Sequence, residues 1–336
     1  MKKAFALVTA AALALTAVVG CGSSTPTAKD GAAPTAKTPD RITIATATTG
    51  GVYYPVGNAL AKLWTTKNNV QAVAQTSAGG VANLQMFAKK EAEIAFVESG
   101  IADYAVKGTE MFDGKKIDNI RGLTSLYPNV VHIIVKADSG INSLKDIKGK
   151  RIIPGSHGSS SEVNTRKILE AYGLDYVKRQ DVKADFIGFN ESAEALKNGQ
   201  VDLISMTGGT PLAATLDVAS SIPVKLLSID KDMIDKLVKD NPYFVPYTIP
   251  KGTYKGQDED VNTVAVTNLL VVRADLPTDF VYNLTKTMFE NLPTLIETHK
   301  ALKDLTKDNA LTGMNVPLHE GSKKYFKEIG LNVDGK

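Results

Sequence analysis

The stretch RITIATATTGGVYYPVGNALAKL, Arg41 to Leu63, decides how the rest of the chain is read. Ile42, Ile44 and Thr46 alternate with small residues, the pattern of a buried strand. Thr48-Thr49-Gly50-Gly51 breaks that pattern, and its two glycines let the backbone bend sharply or approach a ligand. Pro55 stands where a first helical residue would stand. Val56, Ala59, Leu60, Leu63 and Trp64 follow on one helical face. The sequence therefore predicts strand, glycine loop, helix. The open N–H groups of such a helix start point beyond the carboxyl end of the strand, where α/β sheets bind ligands. Thr49, Gly51, Tyr53 and Tyr54 are candidate contacts there, the tyrosines offering ring faces and hydroxyls. Trp64 reads as core.

Upstream, Lys2 and Lys3 precede an apolar run, Ala4 to Val19, too short for a comfortable membrane span. Cys21 is the only cysteine and follows Val18-Val19-Gly20, which resembles a bacterial lipobox. Residues 1–20 are expected to be a lipoprotein signal peptide, with Cys21 the lipidated residue. A single cysteine excludes an intramolecular disulfide and a CxxC metal site. Residues 21–40 are dominated by Ser, Thr, Ala, Gly and Pro and predict a flexible tether. The protein body is then extracytoplasmic and anchored to the membrane. At 336 residues, 43% apolar and 22% charged, the chain has the composition of a globular protein with room for two domains. Setting Lys2 and Lys3 aside leaves 37 basic against 36 acidic residues, so there is no electrostatic case for nucleic acid.

Downstream, Val70–Gln75 predicts a second strand, Thr76-Ser77-Ala78-Gly79-Gly80 a second small-residue loop, and Val81, Leu84 and Phe87 a helix face. Ala92–Val97 predicts a strand ending at Glu98-Ser99-Gly100. Ile120–Leu126 predicts another strand, ending at Tyr127-Pro128, with a separate apolar run at Val131–Val135. The plan then restarts: strand at Lys150–Ile153, polar loop Gly155-Ser156-His157-Gly158-Ser159-Ser160-Ser161, and a helix opened by a Ser159–Glu162 capping box and ended by Gly173. Ala195–Gly209 echoes Phe87–Gly100 and places Thr207, Gly208 and Gly209 in an equivalent loop. Val264–Val272 predicts a strand, and Phe280–Glu290 and Leu292–Leu302 predict helices. The fold class expected is α/β with two similar mixed-sheet domains. Domain I takes 41–134 and 262–336, domain II takes 135–261, and a ligand cleft lies between them.

No catalytic constellation emerges. None of His132, His157, His299 and His319 sits in an HExxH or a nucleophile elbow. His157 stands among serines without a GxSxG frame, so its loop reads as an anion-binding turn through backbone and hydroxyl donors. His132, inside an apolar run, reads as a buried structural histidine. Ser156 to Ser161 lack the Lys of a nucleotide loop. No enzyme activity, cofactor or metal is expected. Glu98 and Ser99 end a strand on the same rim, where a carboxylate meets either a ligand ammonium or solvent. Tyr127 is a cleft wall or simple packing.

These motifs resemble a known family. TTGGVYYP, AGGVANLQMFAKKEAEIAFVES, YPNVVHIIVKADSGI with the DIKGK that follows, and LKNGQVDLISMTGGTP are similar, in order, to the TAXI solute-binding proteins of TRAP transporters. The likeness runs from about Arg41 to Phe289. It implies a two-lobed type II periplasmic-binding fold that closes on a small organic anion or amino acid, glutamate- or glutamine-like. It also implies delivery, as a monomer, to a permease driven by an ion gradient. Asn83 and Gly155 keep the family pattern. The family often has Gln-Ser-Asp where this chain has Glu98-Ser99-Gly100, and different small residues at Gly79-Gly80 and at Ser159-Ser160-Ser161. The alternatives are a receptor of the same fold serving an ABC importer, for instance for a sulfonate, and a binding or sensor lipoprotein without a transport role.

Overall fold

The computed structural model describes residues 37–335. The expected signal peptide, Cys21 and most of the tether lie outside the described residues. The chain runs β1 (Arg41–Ala45), α1 (Tyr53–Lys67), β2 (Gln71–Gln75), α2 (Gly80–Ala88), β3 (Ile94–Glu98), α3 (Ser99–Lys107), β4 (Ile120–Lys136) and β5 (Arg151–Ile153). It continues α4 (Ser160–Ala171), β6 (Lys183–Ala184), α5 (Phe189–Lys197), β7 (Leu203–Gly208), α6 (Ala213–Ser221), β8 (Val224–Leu226) and α7 (Lys231–Asp240). It ends β9 (Phe244–Ile249), β10 (Val261–Arg273), α8 (Thr278–Glu290), α9 (Leu292–Thr298) and α10 (Glu320–Glu328).

The strands hydrogen-bond into one sheet of order β2-β1-β3-β10-β4-β7-β5-β6, with β8 added on β4 and β9 on β10. The two mixed-sheet lobes expected from sequence share this one sheet, because β4 and β10 are long enough to serve both. β10 pairs β3 through Asn268–Val272 and β9 through Val261–Val266. β4 pairs β10 over Ile120–Val130 and β7 over Val130–Val135. At either end lies a parallel set with helices on its faces, β2-β1-β3 in the first half and β7-β5-β6 in the second. One apolar core sits in the first half; two smaller ones, built from β4, β7, β10 and their helices, sit in the second.

Two local expectations are corrected. Pro128 does not end the strand: β4 runs on for 17 residues. Pro128 lies opposite Thr267, beside a register shift between Thr267 and Leu269, where a missing N–H is tolerated. Helix α1 starts at Tyr53, not Pro55. Proline within the first turn costs nothing, because those N–H groups have no intrahelical acceptor.

Trp64 is fully buried, and its indole N–H donates to the carbonyl of Leu284 in α8 at 3.0 Å. It ties α1 to the C-terminal helices. Trp64→Ala should lower unfolding free energy by about 3–5 kcal/mol, measured by urea denaturation, and Trp64→Phe by clearly less.

Candidate functional site

Three strand–loop–helix turns deliver helix starts to one cavity between the halves of the sheet: α1 after β1, α2 after β2, α4 after β5. Neither α1 nor α2 has a side-chain cap. Apart from the Ala82 N–H of α2, which donates to the Gly158 carbonyl, their first N–H groups and the positive ends of their dipoles are therefore available to a ligand. Gly79, before α2, has φ +127°, a conformation other residues rarely hold. Gly80 is tied to glycine by space, since a Cβ there would lie 2.3 Å from Ser160 Oγ.

Of the sequence-predicted residues, Gly51, Tyr53, Gly79, Gly80, Glu98, Ser156, Ser159, Ser160, Ser161, Thr207 and Gly208 line the cavity. The others lie elsewhere. Thr49 is exposed and accepts from Asn190 Nδ2 at 3.4 Å. Tyr54 follows Tyr53 into the helix and is not among the lining residues, because the turn of α1 carries it around. Ser77 and Asn83 act behind the cavity. Asn83 Nδ2 donates to the Thr46 and Phe96 carbonyls, and Ser77 Oγ donates to Asn83 Oδ1 at 2.6 Å. Together they pin α2 to the ends of β1 and β3. Ser99 is buried at the start of α3, where its carbonyl accepts from Asn315. Tyr127 is buried and does not line the cavity, so its role is packing, and Gly209 packs among Ala301, Val52 and Tyr127. His157 is exposed and stacks on Phe186, with centroids 3.7 Å apart, so no Ser–His pair forms. Gly158 contributes its carbonyl to Ala82 N–H at 3.0 Å, joining α2 to the α4 loop.

The halves touch at several such points. Lys167 Nζ meets Glu110 Oε1 at 2.7 Å, and the Tyr104 and Tyr243 hydroxyls are 2.8 Å apart. The cavity is small, about 40 Å³ taken as space open to the centre of a water molecule, and it is partly open to solvent. That is room for roughly three waters or one small solute. No Lys, Arg or His lines it.

Its one charged group is Glu98, the last residue of β3, which is 1% exposed. Asn129 Nδ2, from β4, donates to Oε1 at 2.8 Å, and Asn164 Nδ2, from α4, donates to Oε2 at 2.7 Å. The Tyr53 hydroxyl donates to Asn268 Oδ1, and its ring stacks on Phe96. Ser160 Oγ, Thr207 Oγ1 and Asn129 Oδ1 are buried at the cavity without a partner in the protein. Ser161 Oγ instead accepts from Thr207 N–H at 2.6 Å and braces α4 on β7. The capping box is half formed: Ser159 Oγ accepts from Glu162 N–H, while Glu162 Oε1 turns to the Tyr176 hydroxyl and Arg166.

Asn129, Asn164, Val52 and Phe189 were not singled out from sequence, whereas Thr48, expected with Thr49 to offer donors, does line the cavity. Asn164 had a signal, since it lies one helical turn beyond Ser160. Asn129 had little, because asparagine after proline reads as a turn. Among the described residues no group of acidic, His and Cys side chains is placed to hold a metal. His132 is fully buried, its Nε2 2.8 Å from the Tyr254 hydroxyl, and burial pushes it down to about 4, so it stays neutral.

Burial pushes the Glu98 carboxyl up from 4.5 to about 7, against the opposing pull of Asn164 and Asn129. Between those values the folded protein holds a proton that the unfolded chain has released, so stability falls as pH rises through that window. The full effect is about 3 kcal/mol. The gap in unfolding free energy between Glu98→Gln and wild type should therefore grow in favour of the variant from pH 4.5 to about 7 and then level. His132 and other titrating groups occur in both proteins and cancel. Denaturation across pH checks this, and a constant gap would refute it.

The family model that matches residues 44–330 is that of the NMT1-like family. Among solved structures, the periplasmic binding protein BugD is 14% identical over 86% of this chain and 95% of its own, with a TM-score of 0.55. A periplasmic transporter is 12% identical over 86% and 92%, with a TM-score of 0.53. PhnD1 from Prochlorococcus marinus (MIT 9301), in complex with methylphosphonate, is 16% identical over 87% and 97%, with a TM-score of 0.50. At these identities the likeness is one of fold, the α/β fold of type II periplasmic binding proteins. The resemblance to TAXI receptors is corrected: the matching family is the NMT1-like one, and none of these neighbours is named as a TRAP receptor. The TRAP permease is withdrawn as partner with it. Several of the motifs that suggested it are glycine loops before helix starts, a device receptors on this fold need whatever transporter they serve. The chain belongs to the NMT1-like family.

Proposed function

We propose that this protein is an extracytoplasmic solute receptor that closes on one small solute bearing an acidic head group and hands it to an ABC importer. The observation carrying this reading is the convergence of three helix starts on one small cavity with no basic side chain. Without Lys or Arg, an anionic head is held by backbone N–H groups, helix dipoles and the Ser159, Ser160 and Thr207 hydroxyls. The two halves of the sheet, with separate cores, act as the domains that move, and β4 and β10 connect them. The fold likeness to PhnD1, itself solved with a small acid, supports a ligand of that size. Binding rather than catalysis fits a cavity in which no nucleophile meets a base. Cys21 serves as lipid anchor and the segment before β1 as tether. Mass spectrometry of the mature protein should find a diacylglyceryl modification there, absent in Cys21→Ser.

Thermal shift and calorimetry of the purified protein against amino acids, carboxylates, sulfonates and phosphonates test the reading. A binder should raise Tm and reduce the radius of gyration in solution scattering. Gly80→Val, whose side chain would occupy the position of Ser160 Oγ, should lower affinity by at least about tenfold through blocked closure. A set of binders that excludes every acid would sink the proposal.

A further inference from the structure

Resting on the reading of the cavity as a solute site, we propose that Phe189 sets the greatest chain length of solute the receptor accepts, by standing as the wall between that cavity and a second groove outside it. The same two segments build both spaces. Thr48 and Gly51, in the loop after β1, and Phe189, the first residue of α5, line the inner cavity. Their neighbours Thr49, Gly50 and Asn190 line the outer groove, which offers about 570 Å³ to the centre of a water molecule. The loop belongs to the first half of the sheet and α5 to the second.

The two segments meet closely. A Cβ on Gly50 would lie 2.4 Å from Asn190 Oδ1 and 3.1 Å from Phe189 Cβ, and one on Gly51 would lie 3.6 Å from the Phe189 ring. On the same seam the Thr48 methyl lies 3.3 Å from where a Cβ on Gly188 would stand. Glycine at 50 and 51 thus lets the backbone of one half run against the ring from the other. Phe189 is half-buried and packs from behind on the core that β7, α5 and α6 share. Swinging the ring aside means giving up one of these two contacts. The consequence is one of size. The inner cavity has hydroxyls at Ser160 and Thr207 and apolar surface at Ala47, Ala78 and Phe189. With the head group taken by helix starts and hydroxyls, the apolar members are left to the carbon chain. Each methylene that fits should tighten binding by about fourfold. The first that does not fit displaces Phe189 or holds the halves apart, and affinity should drop by at least about tenfold. Phe189 carries no polar side-chain atom, so it bears on chain length and not on the choice of head group.

Calorimetry with straight-chain carboxylates, sulfonates and phosphonates, each from the methyl to the hexyl member, tests this. In the wild type, affinity within the series that binds should rise with chain length and then drop at a definite member. Phe189→Leu should move the drop to a longer member, and Phe189→Ala should move it by at least about two carbons, by joining the cavity to the outer groove. The preference among the three head groups at the shortest chain that binds should stay within about threefold in both variants. Phe189→Leu keeps the apolar packing and carries the test alone if Phe189→Ala does not fold. No drop in the wild type, a drop at the same member in the variants, or a variant folded by circular dichroism that binds no member would overturn the inference and leave the acid-binding reading standing. Straight-chain alcohols or amines that bind where no acid does, with a drop that the variants move, would uphold the role of Phe189 and overturn the acid-binding reading. If no chain of any head group binds, both fall.

Discussion

A carboxyl group removed from water has to be neutralised, paired with a cation or hydrogen-bonded, and the centre of this molecule is arranged around one such group. Glu98 lies in register with Asn268 of β10 and is clasped by Asn129 and Asn164. Two of these amides belong to the strands shared by both halves. The third, Asn164, rides on α4, so its hydrogen bond to Glu98 joins the two halves. If the halves move as proposed, desolvation of Glu98 and formation of the clasp are one event, with part of the penalty offset by the clasp itself.

The sheet explains how such an event is possible without unfolding. β4 and β10 cross from one set of cores to the other, and their ladder is irregular at Thr267–Leu269, opposite the Pro128 region. Proline donates nothing to the ladder there, and the bulge adds local twist. The clasp sits at the same level, since Asn129 follows Pro128 and Asn268 lies within the irregular step. An irregular step of the shared ladder thus lies beside Asn129 and Asn268, two of the polar groups around Glu98. Contacts farther out, Lys167 with Glu110 and Tyr104 with Tyr243, are partly solvated and add modestly to closure.

Much of this was legible in the chain. The strand–glycine–helix units at Arg41–Trp64 and Lys150–Gly173 were readable because apolar spacing changes from period 2 to period 3.6 across a small-residue loop. Their loops do line the cavity. The continuity of β4 was not readable, because Tyr127-Pro128 looks like a stop and only its partner strands show otherwise. The roles of neighbouring side chains were legible unevenly. Tyr53 and Tyr54 are equivalent as letters, and one helical step separates the lining residue from the half-buried one outside the lining. Glu162 obeyed the capping pattern yet answers to Arg166 and Tyr176, which no local rule includes. The transporter class was misread, because the motifs that suggested it report binding geometry and not the membrane partner.

Selectivity in such a cavity comes from what a wrong ligand leaves undone. Ser160 Oγ, Thr207 Oγ1 and Asn129 Oδ1 are buried with no protein partner, and each costs about 1–3 kcal/mol if it stays unpaired on closure. The two hydroxyls can donate or accept, but the amide oxygen of Asn129 only accepts. That oxygen and the Glu98 carboxylate belong to adjoining groups, since Asn129 donates its own N–H to Glu98. A ligand without a donor leaves the Asn129 oxygen unpaired, and one without donors or acceptors leaves all three atoms unpaired. Under the proposed role those penalties fall on a wrong ligand where water is excluded, and not where the cleft is open to water.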